Sequence, residues 1–415
     1  MRIERNMMKN TDMKHPKWIS KLLLATVLAS AASSVAAPLA PRTDINPAVL
    51  YWQAFSLYPE LDQELKKEFL ATPPRLPQAD AEPVLKKFDG MFKYLRRAAQ
   101  MKVPCDWGID LSEGPEALMP NLIKIRQAAQ AAVARVHYAL EAGRDLQAVD
   151  DLVAIIVLGR NAGTDGTLVS AMLGIAAEGL INEFVARNFY RFSPPALLSF
   201  VKQVEAAPPR PTVKKAMQFE EQAFLQWFIA KVEGFRATYP QDESQVLAKS
   251  RELFIATLEK DPVKLERIFA SAGNTVAGLI AYLQQLKPVY EAILKAAEAP
   301  PEKLEETAAA IHELVEHHTN LIARVMFPNV EKARKTELGA IARSAMIRAA
   351  VALRLEGDAG FQKIRDPFGD GPFTLRRLPA GSGEQGFELD SRVSAVRPNT
   401  AMKFLEDKPE KVTFE

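Results

Sequence analysis

The sequence predicts an all-α protein, either a multi-helix bundle or a stacked helical-hairpin superhelix, with a small C-terminal β-hairpin appendage. Three observations predict this fold. Apolar residues after residue 36 recur with the period of an α-helix. Prolines stand at the starts of the periodic segments, where the missing N–H does no harm. From residue 366 onward, Gly and Pro become frequent and short alternating runs such as "FTLRRL" replace the helical period.

Residues 1–36 have the pattern of a secretory signal peptide. "MKHPKWISKLLLATVLASAASSVAAPLAP" contains a basic region, a short apolar region and a zone of small residues. Ser34 and Ala36 provide the small side chains that a signal peptidase requires, which predicts cleavage before Ala37 and an exported, periplasmic or secreted protein. The strongly apolar run, residues 22–28, is too short to span a bilayer. Retention of the segment as a membrane anchor is the alternative.

Charge and cysteine content narrow the classes of partner. Residues 1–36 hold six Lys/Arg and two Asp/Glu of the chain's 53 and 51, so the remainder has 47 basic and 49 acidic residues and a net charge of −2. This balance gives no basic surface for nucleic acid, and we expect no integral membrane span after signal cleavage. The single cysteine, Cys105, allows no internal disulfide.

The helical domain is predicted to cover residues 37–360. Asn46 is expected to cap the first helix, and Gly143 and Asp145 to separate two later ones. The segments "LVAIIVLG" (152–159) and "TLVSAMLGIAAEGLINEFVA" (167–186) are apolar on nearly every side. Helices of that kind have neighbours all around, so these two are expected at the centre of the fold.

Further helices are expected in the second half of the helical domain. Their predicted ranges are 194–206, 211–238, 243–258, 262–286, 290–299, 301–325 and 330–356. Short connections between them indicate antiparallel neighbours. Residues 361–398 are expected to form the β-hairpin appendage, and residues 399–415 a flexible tail.

Three segments resemble a known group of proteins. "NPAVLYWQAF", the block "CDWGIDLSEGPEALMPNLIKIRQAAQAAVARVHYALEAGRDLQAV" and the late "DPFGDGPFTLRRLPAG…GFEL" resemble uncharacterised exported helical proteins of planctomycetes, verrucomicrobia and similar bacteria. The resemblance covers the first 160 residues after residue 36 and the C-terminal part of the chain, and is weak in between. It implies an exported helical protein, and it supplies no catalytic residues.

The C-terminal part also resembles, locally, the Asp-Pro-aromatic-Gly turn of type II secretion pseudopilins. That resemblance implies a calcium-binding loop after the hairpin. "DSRVSAVRPNT" lacks the acids and glycines of such a loop and leaves Asp390 isolated. No metal ligands are therefore predicted in this region.

The stretch "HELVEHHTN" contains three of the five histidines. A zinc-protease helix places two histidines four residues apart, but here Glu316 follows His312 at that distance. With about 100° per residue, His317 and His318 point roughly 140° and 240° away from His312, so the three rings do not converge on one ion. His312 with Glu316, and Glu313 with His317, are instead predicted to pair on a solvated surface.

His318 differs from the other two histidines because it falls within an apolar stripe. The residues expected on that face are Ile311, Leu314, Val315, Leu321, Ile322 and Val325. Asn320 is expected on the opposite, solvated face. A histidine inside the stripe needs a hydrogen-bond partner, and His318 is therefore a candidate for a functional pocket, with a satisfied core histidine as the other interpretation.

The segment around Cys105 provides the remaining candidates. Cys105, beside Asp106 and Trp107, acts as a nucleophile only with a base nearby, and His137 is the conceivable base. A structural, partly buried thiol is the alternative. The four aromatic residues Tyr51, Trp52, Trp107 and Trp227 are expected in the core or along a groove rather than in a ligand cage.

The sequence therefore supports two classes of function. The first is a non-catalytic exported protein that binds a protein or cell-envelope partner through a helical groove, with no cofactor, no metal and no catalytic residues assigned. The alternative is an enzyme of unrecognised type near His318, with a metal-assisted hydrolase as one form of it. A secretion-linked role is a further hypothesis, based on the C-terminal part of the chain.

Overall fold

The structure is a computed structural model that describes residues 42–323, 327, 329–378 and 385–406. The predicted signal peptide and its cleavage point lie outside the described residues. Within the compact unit Asp44–Glu415, helices account for most of the described chain, and a small antiparallel sheet lies near the C-terminus. The predicted fold class, all-α with a small β element, is confirmed.

The described part of the chain contains these regular elements in order. The helices are α1 (Pro47–Ser56), α2 (Gln63–Phe69), α3 (Gln78–Ala99), α4 (Pro120–Glu141), α5 (Asp145–Ala162), α6 (Leu168–Arg187), α7 (Pro194–Glu205), α8 (Val213–Glu220), α9 (Trp227–Thr238), α10 (Glu243–Thr257), α11 (Pro262–Ser271), α12 (Val276–Gln284), α13 (Lys287–Glu298), α14 (Leu304–Glu316) and α15 (Val330–Phe361). A π-helical segment, Glu221–Gln226, joins α8 to α9. The strands are β1 (Thr374–Leu378), β2 (Gly386–Asp390) and β3 (Met402–Leu405).

The two helices that the sequence predicts at the centre of the fold do lie there. Helix α5 contacts α3, α4, α6 and α7, and its most extensive packing is against α6. Gly159 and Gly174 allow this close approach, because a β-carbon at Gly174 would lie 2.1 Å from the carbonyl oxygen of Gly159. Every residue from Leu152 to Gly159 is buried. An all-round apolar helix is stable only with neighbours on every side, and α5 has them.

The buried apolar residues form two cores. The first core contains the buried faces of α1, α3, α4, α5 and α7 together with residues of the sheet. The second contains those of α8 to α13. Helices α6 and α15 contribute to both cores: Leu168 and Ala171 of α6 belong to the second, while Ile181 belongs to the first. The two cores are therefore joined by shared helices.

Several helix ends differ from the sequence-based prediction. The helix expected over 262–286 is broken between α11 and α12, because Gly273 and Asn274 both adopt positive φ, 76° and 50°. Such φ values end a right-handed helix. Helix α15 continues past the predicted end at Glu356 to Phe361, with a non-helical kink at Gly357.

The C-terminal sheet has three strands in the order β1–β2–β3, all antiparallel. Strand β3 lies in the part of the chain that was expected to be a flexible tail, and the expected hairpin is therefore a three-stranded sheet. Phe387 of β2 stacks on Phe404 of β3 with 4.8 Å between ring centroids, and Phe189 packs edge-on against Phe404 at 5.1 Å. These contacts make the sheet part of the first core.

By length and composition, α6 is the one described helix apolar enough to cross a membrane. In its most apolar window, 61% of the residues are buried inside the protein. Burial of this kind is typical of a core helix, and the position of α6 against α5 and α15 accounts for its composition.

Candidate functional site

Cys105 is buried between the start of α1 and the end of α5. Burial raises the pKa of its thiol to about 12, although hydrogen bonds with the Thr164 side chain and the Ala48 backbone lower it. A thiol with that pKa is protonated at neutral pH and is a poor nucleophile. The structure therefore places Cys105 in a packing role.

Asp106 and Trp107 fix the same loop to the helices. The side chain of Asn46, the N-cap of α1 as predicted, pairs with the backbone of Asp106, accepting its N–H at 3.1 Å and donating to its C=O at 2.7 Å. The indole N–H of Trp107 donates to the carbonyl of Asn161 at 2.7 Å, and the Asn161 amide donates to the Tyr51 hydroxyl at 2.9 Å. These bonds hold the loop against α1 and α5.

His137, the proposed base for Cys105, lies near the end of α4. Its Nε2 is 3.1 Å from Oε1 of Glu141, and its ring packs edge-on against Tyr138. Burial lowers the pKa of His137, and the positive charge of Arg191 adds to this effect, while Glu141 opposes it. The groups that shift the pKa of Cys105 are different ones. His137 interacts with Glu141 and Tyr138, whereas Cys105 interacts with Thr164 and Ala48, so no observed contact supports the proposed pair.

The environment of His318 differs from the prediction because α14 ends at Glu316 rather than near residue 325. Nδ1 of His318 accepts the backbone N–H of Asn320 at 3.0 Å. Asn320, expected on the solvated face, is fully buried, and its side-chain amide donates to the carbonyl of Tyr282. The Tyr282 hydroxyl in turn accepts the N–H of Leu321 at 2.7 Å. His318 is thus a half-buried residue of a loop tied to α12.

The other two histidines of this stretch are exposed. His312 and Glu316 form the predicted pair, with 3.4 Å between Nε2 and Oε2. Glu313 and His317 are joined through the backbone, because the N–H of His317 donates to the carbonyl of Glu313. Among the residues that the structure describes, no group of three His, Cys, Asp or Glu side chains is placed to hold a metal ion.

Two half-buried carboxylates that the sequence analysis did not select lie near each other at the start of α6. Burial raises the pKa of Asp165 and that of Glu220, and the charge of Asp165 raises the latter further. Asp165 accepts the N–H of Thr167 at 2.9 Å, and Glu220 accepts the N–H of Leu168 at 3.0 Å. Both therefore satisfy free amides at a helix N-terminus, which is a structural role.

An elongated surface groove runs past Trp52 and Pro120, which border both of its halves. We call it the aromatic groove. Its first half has a volume of about 630 Å³. The side chains that line this half include Trp52, Trp107, Ile109, Asp110, Glu113, Glu116 and Leu118. Leu118 is 85% exposed, which is unusual for a large apolar side chain. A hydrogen bond from the backbone N–H of Ser112 holds the pKa of Asp110 below its usual value.

The second half of the aromatic groove has a volume of about 780 Å³. Its side chains include Phe55, Tyr58, Pro59, Glu60, Leu61, Lys66, Lys124 and Gln127. Two polar atoms here, the hydroxyl of Tyr58 and Oε1 of Gln127, are buried and have no hydrogen-bond partner within the described part of the chain. Buried polar atoms are normally paired, so each of these two would gain a partner if a ligand in the groove displaced the atoms that cover it.

The sequence candidates contribute to this groove only in part. Trp107 lines it, and Trp52 is the groove-lining aromatic residue that was expected. Cys105 and Asp106 lie in the same loop but act in its packing, whereas His137 and His318 belong to other regions. Tyr58, Leu118 and Gln127 carry no local sequence pattern that marks them as functional.

No family model matches the chain, and no curated protein and no solved structure matches it either. The resemblance to exported helical proteins therefore stays an expectation.

Proposed function

We propose that this chain is an exported, non-catalytic binding protein that holds an extended segment of a cell-envelope protein in the aromatic groove. The observation that carries the proposal is the pair of buried, unpartnered polar atoms, Tyr58 Oη and Gln127 Oε1, beside the aromatic wall of the groove. An extended peptide presents free N–H and C=O groups along its length. Those groups can pair with a hydroxyl and with an amide oxygen.

The apolar wall supports a peptide rather than a purely polar ligand. Trp52 packs edge-on against both Phe55 and Trp107, with 5.8 Å and 5.7 Å between ring centroids. Aromatic side chains are enriched at recognition surfaces, and aromatic-lined grooves accept proline-rich or apolar extended segments. The exposed Leu118 extends this apolar surface.

The charged residues of the groove predict the order of basic and acidic residues along the ligand. The first half of the groove carries Asp110, Glu113 and Glu116, with Lys231 close to Asp110. The second half carries Lys66 and Lys124 together with Glu60. A complementary segment has basic residues at one end, an apolar centre and acidic residues at the other end.

Export is part of the proposal and rests on the pattern of residues 1–36. Fractionation of cells that express the full chain, followed by N-terminal sequencing, tests it. We expect a mature form that begins at Ala37 in the exported fraction. A cytoplasmic protein that keeps residues 1–36 would contradict export without affecting the groove.

A peptide library displayed on phage tests the binding function. Selection on the purified protein should enrich segments with the basic–apolar–acidic order, and their binding should quench the fluorescence of Trp52 and Trp107. Leu118→Glu should weaken binding at least tenfold. The matched control is Leu146→Glu, since Leu146 is 56% exposed but lies at the start of α5 outside the groove. No enrichment, or equal loss in both variants, would contradict the proposal.

A further inference from the structure

A second cavity, separate from the aromatic groove, lies where α5, α6, α7 and α15 meet. Its volume is about 260 Å³. Its polar lining comprises Arg160, Asn182, Arg210, Ser344, Arg348 and Glu205, and its apolar lining includes Phe200, Val204 and Ile347. The cavity thus offers both hydrogen-bond donors and hydrocarbon surface.

A fully buried carboxylate, Glu178, lies behind the polar lining. Arg160 donates to it through Nη2 at 3.1 Å, and Arg210 donates through Nε at 3.0 Å. The hydroxyl of Ser344 also donates to it, at 3.2 Å. Burial alone would raise the pKa of Glu178, but the bonds and charges of the two arginines outweigh burial and hold it below its usual value. The carboxylate is ionised at neutral pH.

The cluster keeps an excess of positive charge. One carboxylate, Glu178, faces two guanidinium groups, while Arg348 is balanced at the cavity mouth by Glu205, with 3.4 Å between Nη1 and Oε1. Arg160 is further committed through Nη1 to two backbone carbonyls, those of Val204 and Pro208. Arg210 keeps Nη1 without a hydrogen bond to any residue that the structure describes. One net positive charge and free N–H groups therefore remain in this lining.

Asn182 is the second, independent sign of a ligand. Its side chain lines the cavity, it is 1% exposed, and its Nδ2 has no hydrogen-bond partner among residues 42–323, 327, 329–378 and 385–406. A buried amide without a partner costs free energy in the empty protein. A bound acceptor would remove that cost.

We propose that this cavity binds a small organic acid, with its carboxylate paired to Arg210 and Asn182 and its apolar body against Phe200, Val204 and Ile347. The positive excess selects an anion, and the hydrocarbon part of the lining selects one with an apolar body. A cavity of about 150 Å³ accommodates benzene. The volume of 260 Å³ therefore fits an aromatic or short aliphatic monocarboxylate. This inference does not depend on the aromatic groove.

Benzoate tests the proposal, and benzyl alcohol serves as a neutral control of similar size. Isothermal titration of the full chain at constant ionic strength should show benzoate binding to one site and benzyl alcohol binding at least tenfold more weakly. Equal binding of the two compounds would overturn the anion selectivity. Absence of binding by both benzoate and hexanoate would overturn the site, which would then hold water only.

Asn182→Leu distinguishes an effect on ligand binding from an effect on folding, because it removes the unpartnered amide and keeps nearly the same shape. We expect an unchanged or higher melting temperature without ligand, and at least a tenfold loss of benzoate affinity. Arg236→Gln, in α9 and outside the cavity, should stay within about threefold of the wild type, since its pair with Glu233 is solvent-exposed. Full benzoate affinity in the Asn182→Leu protein would contradict the proposed contact. The comparison of benzoate with benzyl alcohol uses the wild-type protein, so it tests the anion selectivity even if a variant fails to fold.

Discussion

The indole ring of Trp227 lies against the backbone of Gly114 so closely that a β-carbon at Gly114 would be 2.4 Å from Cε2 of the ring. Gly114 has a φ of 60°, and the indole N–H donates to the carbonyl of Ser112 at 2.7 Å. Trp227 packs against the second core. A residue of the second core therefore fixes the loop that carries the acidic half of the aromatic groove.

Gly114→Ala is predicted to destabilise the protein and to weaken peptide binding in the groove. A left-handed residue other than glycine costs about 1–2 kcal/mol, and the overlap with Trp227 adds to this cost. Urea unfolding measures the loss. Gly143→Ala is the matched control, because Gly143 has a φ of 68° but nothing within 4 Å of the added carbon. Equal losses in the two variants would show that the contact with Trp227 is unimportant.

Glu178→Gln is predicted to be among the most destabilising single changes in the first half of the chain. It leaves Arg160 and Arg210, whose side chains are 9% and 16% exposed, without their carboxylate. Removing one partner of a buried ion pair costs about 3–5 kcal/mol. Glu205→Gln is the control, since its pair with Arg348 is solvent-exposed, and such pairs contribute about 1 kcal/mol or less. A similar free energy of unfolding for both variants would contradict this prediction.

His137 is predicted to make the stability depend on pH on the acid side of neutrality. Its pKa in the folded protein is lowered by burial and by Arg191, with Glu141 as the opposing charge and Tyr138 as the other ring in contact. The unfolded chain therefore binds more protons, and stability falls as pH drops through the usual histidine value of 6.5 toward the lower folded pKa.

Urea unfolding at pH 7.5, 6.5 and 5.5 measures this dependence. His137→Gln should reduce the loss of stability between pH 7.5 and 5.5 by up to about 1.4 kcal/mol per pH unit, the limit for one proton. His312→Gln, which changes an 82% exposed side chain, should leave the wild-type slope unchanged. An identical slope for the wild type and His137→Gln would argue against the buried histidine as the cause.

Cys105 is predicted to resist modification in the folded protein. Its pKa of about 12 leaves almost no thiolate at pH 8, and its side chain is buried. A disulfide reagent should react slowly with the native protein. In about 6 M guanidinium chloride it should react with one thiol per chain, at a rate on the order of that of free cysteine. Fast stoichiometric reaction of the native protein would revive the nucleophile hypothesis and, with it, an enzymatic function.

The sequence predicted those parts of the fold that depend on local pattern. The central positions of α5 and α6 followed from their all-round apolar composition, and the cap at Asn46 from its position before Pro47. The early end of α14 did not, because the loop after it is held by a hydrogen bond from Asn320 to Tyr282, which is 38 residues away. Strand β3 was likewise missed, since its stability comes from pairing with β2.

The candidate sites, like the fold, could be predicted only where a local sequence pattern marks them. Trp52 and Trp107 were recognised as core or groove residues, but their meeting at one surface is a tertiary event that no local pattern indicates. The buried cluster around Glu178 did have a signal. A glutamate inside the apolar run "GIAAEGL" and an arginine directly after "LVAIIVLG" must be paired when their helices are buried.

Helix α15 also affects the order in which the protein matures during synthesis. Its residues from Leu338 to Phe361 belong to the first core, whose other helices, α1 to α7, are made much earlier. Until that helix is available, the N-terminal helices lack part of the surface that they bury, and the nascent chain stays incompletely folded. The first core can therefore close only after α15, the last described α-helix, has been synthesised.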